Sequence, residues 1–352
     1  MGFNKNKCLK FQAITAGDLS LAAKDNIHFY FSKDDGANWI ADTISLDVGD
    51  EVFVKGTTYP GGNKFQISCK LKHVSGSVMS LVDDGAGEQT AIENDNGFKD
   101  LFRSCSNLVS IEEGLLSATT LSKNCYSNMF CEAGLTYLPE RLLPALILKY
   151  RCYEYMFYKC PLYSIPKGLL PAGTLAEGCY MGMFYGCTNI TTLPAGLLHS
   201  KTLANSCYYE MFDGCKGITT IPTAFLPAQE AQANCYGMMF SGCTALKKVQ
   251  KNAIGLKKVT GQACEGMFYR CSKLNEIHVN FDSWYSQSGV QVTNIWVDSV
   301  ASSGTFYCPS KLPIERGVSR IPNNWTVTYE VSNTGTINIF GFAIPARRKT
   351  IY

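Results

Sequence analysis

A methionine–phenylalanine pair recurs through the middle of this chain at near-constant intervals. It stands at Met129-Phe130, Met156-Phe157, Met183-Phe184, Met211-Phe212, Met239-Phe240 and Met267-Phe268, with Leu101-Phe102 as a degenerate first copy. Successive phenylalanines lie 28, 27, 27, 28, 28 and 28 residues apart. A fixed period in that range means units too small to bury their own apolar face, each completed by its neighbours.

Within one copy, Cys179, Tyr180, Met183, Phe184 and Cys187 fall at i, i+1, i+4, i+5 and i+8. That spacing predicts one inward face of a short helix. Gly186, Gly214 and Gly242 stand where such a helix would stop, and Thr188-Asn189 reads as a turn. Ile190 and Leu193, or Ile218 and Ile221, then suggest a short strand, closed in most copies by Pro139, Pro166, Pro194 or Pro222. After Phe130 and Phe157 the proline arrives one residue earlier than after Phe184 and Phe212, so the corner before the strand absorbs the shorter period. The expected fold class is therefore α+β, a leucine-rich-repeat-type solenoid of about seven 27–28-residue repeats flanked by β-rich ends.

Four segments follow from these patterns: residues 1–85 as an N-terminal β-sandwich, 86–97 as a joint, 98–278 as the solenoid, and 279–352 as a β-rich capping or attachment domain. The first segment has alternating runs at Cys8 to Ala13, Ile27 to Phe31, Thr43 to Leu46, Glu51 to Val54 and Phe65 to Leu71. Within it, Ser32, Asp34, Gly36 and Trp39 match the S-x-D-x-G-x-x-W pattern of an Asp-box hairpin. One such box reads as a structural turn. In the last segment, Ile337 to Ile344 is expected to add a strand.

Thirteen of the sixteen cysteines lie in the repeats, in two columns. Cys125, Cys152, Cys179, Cys207, Cys235 and Cys264 precede the Met-Phe pair; Cys105, Cys160, Cys187, Cys215, Cys243 and Cys271 follow it, with Cys131 displaced where Ala133 takes the column. At a fixed phase, cysteine behaves as a small buried hydrophobe that lets neighbouring repeats approach. No C-x-x-C occurs and the four histidines share no phase with the cysteines, so no metal site and no cofactor is expected.

Net charge is +3, and the one basic cluster, Arg347-Arg348-Lys349, is too short to suggest a nucleic-acid partner. No apolar run approaches the roughly 18 residues of a membrane span, and residues 1–30 hold no secretory core, so neither membrane insertion nor export is expected. Phosphate-loop, nucleophile-elbow and zincin motifs are lacking, and the acidic pairs Asp83-Asp84 and Glu112-Glu113 are sequence neighbours rather than convergent carboxylates. The expectation is a protein that is not an enzyme. Its candidate ligand-binding residues are aromatics at phases that vary between copies: Tyr155, Tyr158, Tyr185, Tyr209 and Tyr269. They either offer rigid amphipathic contact area to a sugar or protein, or simply cover the predicted helix. The constant column Tyr126, Tyr153, Tyr180, Tyr208 and Tyr236 reads instead as packing.

Copies of C-Y-x-x-M-F-x-G-C followed by L/I-x-x-L/I-P resemble the BspA-like leucine-rich repeat family over about residues 98–277. The stretch from Ala301 through Phe306 to Ile321-Pro322-Asn323-Asn324-Trp325 is similar to the endings of such proteins in gut bacteria and their phages. The resemblance implies binding and adhesion rather than catalysis. Joined to the expected lack of an export signal and the many unpaired cysteines, it leads to a bacteriophage virion component, a head or tail fibre or decoration protein assembled in the host cytoplasm. Its expected partners are other virion proteins, a carbohydrate or protein ligand on the host surface, and further copies of itself. A bacterial cell-surface adhesin is the alternative, and a sialidase-like glycosidase a remote one.

Overall fold

The structure, a computed structural model, describes residues 2–21, 28–330 and the backbone of Thr350–Ile351. Eight strands come first: β1 (Leu9–Ala13), β2 (Gly17–Leu21), β3 (Tyr30–Ser32), β4 (Ile40–Ala41), β5 (Thr43–Leu46), β6 (Glu51–Lys55), β7 (Phe65–Ile67) and β8 (Leu71–Ser75). They form two antiparallel sheets, ordered β4-β3-β6-β1-β8 and β5-β2-β7. The two-residue period of β1 places Leu9, Phe11 and Ala13 in the core, while Lys10 and Gln12 face outward. Phe65 packs edge-on against Phe11 at 5.0 Å and stacks on Phe102 at 5.2 Å, which joins the sheets to the first repeat. Backbone bonds reinforce that joint, from Leu71 N–H to Asn107 and from Val74 N–H to Ser110.

The α+β expectation is overturned here. Among the described residues the only helix is a single 3-10 turn, Val78–Leu81, and the chain is mostly β. The stretch read as a helix is a train of turns. In residues 151–160, alternate N–H groups (Arg151, Tyr153, Tyr155, Phe157, Lys159) donate to carbonyls of the next repeat at Glu177, Cys179, Met181, Met183 and Tyr185. The intervening N–H groups close four-residue turns within the repeat, as Met156 does on Tyr153 and Cys160 on Phe157. Every fourth residue is left-handed: Arg151, Tyr155 and Lys159 in one copy, Gly178, Gly182 and Gly186 in the next. A left-handed residue every fourth position forbids a helix. The train buries residues with a period of four, and over nine positions that falls within one residue of the 3.6 of an α-helix. This is why the sequence pattern misled.

Successive repeats lie in register. Rings of Phe102, Phe130, Phe157, Phe184, Phe212, Phe240 and Phe268 form one column, with neighbours 5.3 to 6.0 Å apart and near parallel. Phe98 and Tyr126, Tyr153, Tyr180, Tyr208 and Tyr236 form a second column at 5.8 to 6.1 Å. Both are buried, with the methionines between them.

A parallel ladder forms beyond the turns: β9 (Thr220–Ile221), β10 (Lys248–Val249), β11 (Glu276–His278), β12 (Thr305–Cys308) and β13 (Thr326–Tyr329), with β14 (Thr350–Ile351) antiparallel on β13. It crosses residue 278 without a break, since Glu276 pairs with Thr305 and Ile277 with Phe306. Trp296 lies 5.8 Å from Phe268, in the next place of the phenylalanine column, and Phe268 N–H donates to its carbonyl. One core cluster runs from Leu9 to Val327. The strand expected at Ile337 to Ile344 and the basic residues Arg347, Arg348 and Lys349 lie outside the described residues.

Candidate functional site

The train of turns decides where the candidate tyrosines go. Several of its left-handed residues point side chains along the stack, over a glycine of the next repeat. The side chains of Arg151, Tyr155 and Lys159 lie over Gly178, Gly182 and Gly186; a Cβ on Gly182 would overlap the Tyr155 ring. Left-handed Met238 covers Gly266 in the same way, and Tyr209, from a neighbouring phase, covers Gly237. A large residue on one repeat is thus accommodated by the missing side chain on the next.

All five candidate tyrosines are half-buried on this turn edge. Four come together. Tyr155 and Tyr158 meet edge to face at 5.8 Å, and Tyr158 stacks on Tyr185 at 5.0 Å. The Tyr155 hydroxyl crosses two repeats to donate to Glu210 Oε2 at 2.8 Å, next to Tyr209. Tyr269 stands apart, separated from Tyr185 by Asp213 and Ser241 at the same repeat phase, with the Arg270 guanidinium 4.8 Å from its ring. Lys159 similarly sits 4.9 Å over Tyr158.

Two carboxylates complete the patch, and neither was singled out from the sequence. Aligning copies on the Met-Phe pair reveals them: Glu210 shares the phase of Tyr155 and Gly182, and Asp213 that of Tyr158 and Tyr185. Burial pushes the Asp213 carboxyl up to about 7; the Ser241 hydrogen bond opposes this and the Glu210 charge adds to it. The Asp213 charge, followed by burial, raises the Tyr185 hydroxyl, while burial and then the bond to Glu210 raise that of Tyr155. Tyr155 and Tyr185 therefore stay neutral hydroxyls, able to donate and accept. The patch is an aromatic surface with two carboxylates beside it.

The cysteines sit inward, and the following column has a defined bonding role. Sγ of Cys160, Cys187, Cys215, Cys243 and Cys271 lies 3.0 to 3.2 Å from the carbonyl oxygens of Phe130, Phe157, Phe184, Phe212 and Phe240, one repeat back. Each thiol donates to a carbonyl in the core, where a nonpolar side chain could not. Cys125, Cys152, Cys179, Cys207 and Cys235 are buried beside the tyrosine column, and burial pushes Cys125 and Cys207 up to about 12. Cys264 departs from the column assigned to it: Ala263 takes the cysteine place, and Cys264 is buried where Tyr236 stands one repeat earlier. All sixteen cysteines are buried free thiols.

The Asp-box is a closed turn. Asp34 Oδ1 accepts from Ser32 Oγ at 2.7 Å and from Asn38 N–H at 2.9 Å, and Trp39 Nε1 donates to the Gly36 carbonyl at 3.0 Å. These bonds, led by that from the Asn38 backbone, lower the Asp34 pKa to about 2. Its carboxylate is fully engaged in holding the turn. Compared with protein-family models, with curated proteins and with solved structures, the chain finds no match in any of the three.

Proposed function

We propose that this chain is a non-enzymatic structural and binding protein carried on a bacteriophage virion, where its stacked repeats contact ligands on the host surface. The observation that carries the binding role is the patch of Tyr155, Tyr158, Tyr185 and Tyr209, held half-exposed on a backbone whose alternate N–H groups are tied to the next repeat. Tyrosine offers large contact area at low entropic cost, and a fixed platform lowers that cost further. The virion setting is supported by the thiols. A sulfur that donates its proton to a buried carbonyl must remain S–H, which favours folding and assembly in a reducing compartment.

Mass spectrometry of purified particles and of cell envelopes from one culture, after thiol alkylation, tests the setting. The expected result is the chain in particles, with cysteines that alkylate only after denaturation. Its confinement to envelopes, with paired cysteines, would overturn it. For the binding role, Tyr158→Ala with Tyr185→Ala is expected to weaken retention on host cells about tenfold, read by cell pull-down.

A further inference from the structure

A second face of the repeats carries a groove that the tyrosine patch does not use. Two cavities, of about 370 and about 280 Å3, adjoin at Glu230 and Gln232, which line both, and together they are the trough that crosses successive corner segments. The segments are Lys201–Leu203, Gln229–Gln232, Lys257–Thr260 and the stretch from Asp282 to Tyr285. Backbone bonds fix their relative positions: Lys257 N–H donates to the Gln229 carbonyl at 2.9 Å and Ala231 N–H to that of Lys258 at 3.1 Å.

Three features define what fits. Firstly, side chains that both donate and accept, Gln229, Gln232, Gln287 and Thr202, stand exposed along it beside apolar wall from Leu203, Pro227 and Val259, while the Thr260 hydroxyl is turned to the Ala231 carbonyl. Secondly, charge is nearly balanced, with three lysines against two carboxylates, and Lys258 is paired with Glu230 at 2.8 Å. A strongly charged ligand would find no matching field. Thirdly, one aromatic platform stands at the end. Tyr285 is 45% exposed, yet Arg320, itself buried and bonded to Glu315, donates to its hydroxyl at 2.8 Å with the guanidinium 4.9 Å from its ring. The ring is held while much of its surface stays open.

We infer that this trough binds a neutral, linear oligosaccharide. Sugar hydroxyls, each a donor and an acceptor, match amide and hydroxyl side chains. The apolar face of a pyranose matches a fixed tyrosine ring. The periodicity matches too: neighbouring strands are spaced about 4.8 Å apart, close to the advance of one sugar along an extended chain, so each repeat presents its polar groups to one unit. This assignment rests on the reading of the chain as a surface-binding protein and names the ligand class and the place.

Isothermal titration calorimetry of the full chain tests it, using linear neutral hexasaccharides of glucose, mannose, xylose and N-acetylglucosamine, with neutral mucin oligosaccharides as a separate arm. One arm is expected to bind, with affinity rising with chain length until the corner segments are filled, and with little dependence on salt. Tyr285→Ala and Gln232→Ala are each expected to weaken binding about tenfold or more, whereas Tyr163→Ala, exposed elsewhere, leaves it unchanged. No binding in any arm, or binding indifferent to Tyr285→Ala and Gln232→Ala, overturns the assignment. Retention on host cells through Tyr158 and Tyr185 with no oligosaccharide binding sinks the groove alone. Binding in the groove without retention on any host cell sinks the surface reading alone.

Discussion

The antiparallel sheets of residues 9–75 and the repeats after them bury similar aromatic cores by different backbone rules. In β1 the register follows from alternation along one strand, paired with β6 and β8 on either side. In the repeats, alternate N–H groups look inward to a local turn and outward to the next copy, so the position of every residue depends on one some 27 positions away. A strand core is specified locally, whereas the turn train is specified only by its neighbours. Damage should therefore spread differently in the two regions.

The largest effect is expected from removing a core ring. Phe184 stacks between Phe157 at 5.7 Å and Phe212 at 5.6 Å, and Phe11 packs on Phe65 at 5.0 Å. Truncating either to alanine should cost about 3–5 kcal/mol. Phe184→Ala should also split denaturant unfolding into two steps, because repeats couple only to neighbours, while Phe11→Ala should move the transition of the sheets. Hydrogen exchange resolved by segment checks this, and one uniform shift from both variants would erase the distinction.

Gly134→Ala comes next. Its Cβ would run into the Ser106 carbonyl one repeat back, a backbone atom that cannot swing aside. A loss of about 1–3 kcal/mol is expected, against almost none for Gly173→Ala, where the space is open; urea midpoints decide. A smaller loss, about 1 kcal/mol, is expected for Cys215→Ala, which deletes the thiol donor to Phe184. Cys215→Ser should keep the donor but bury a more polar group, so a serine variant as stable as the parent would argue against the sulfur having a packing role.

The last effects are pH slopes of opposite sign. Asp34 in the Asp-box has a folded pKa lowered to about 2, so its stabilisation is complete above its unfolded value and disappears as pH falls through about 2. Asp213 on the repeats is raised to about 7, so the folded state binds the extra proton, and stability declines as pH rises from the unfolded value, near 4, towards 7. Asp34→Ala should flatten the acid limb of stability against pH, and Asp213→Asn should stabilise the protein above pH 7 while leaving the acid limb alone. Thermal melts across pH would show both.

Much of this was legible in the residues. The strands β1 and β5 follow from alternation, β6 from its run of Val52, Phe53 and Val54, the Asp-box turn from four residues, and the buried Met, Phe and Cys phases from recurrence. Strand β2 was missed because Gly17-Asp18-Leu19-Ser20-Leu21 opens on turn-forming residues, and its pairing with β5 and β7 overrides them. Trp296 was missed because its flanks differ from those of Phe268, although it stands at the same interval of 28. Of the tyrosine patch, four members were visible as variable phases. Glu210 and Asp213 were not, since a lone carboxylate acquires meaning only from the rings beside it.

By itself the sequence determined the period and the residues that face inward. Those are composition at fixed phase, and burial alone requires them. Only the tertiary structure decided that the inward face is a train of left-handed turns and not a helix. Periods of 4 and 3.6 bury the same side chains over so short a stretch, and the difference lies in where alternate N–H groups find their acceptors, which is on another repeat.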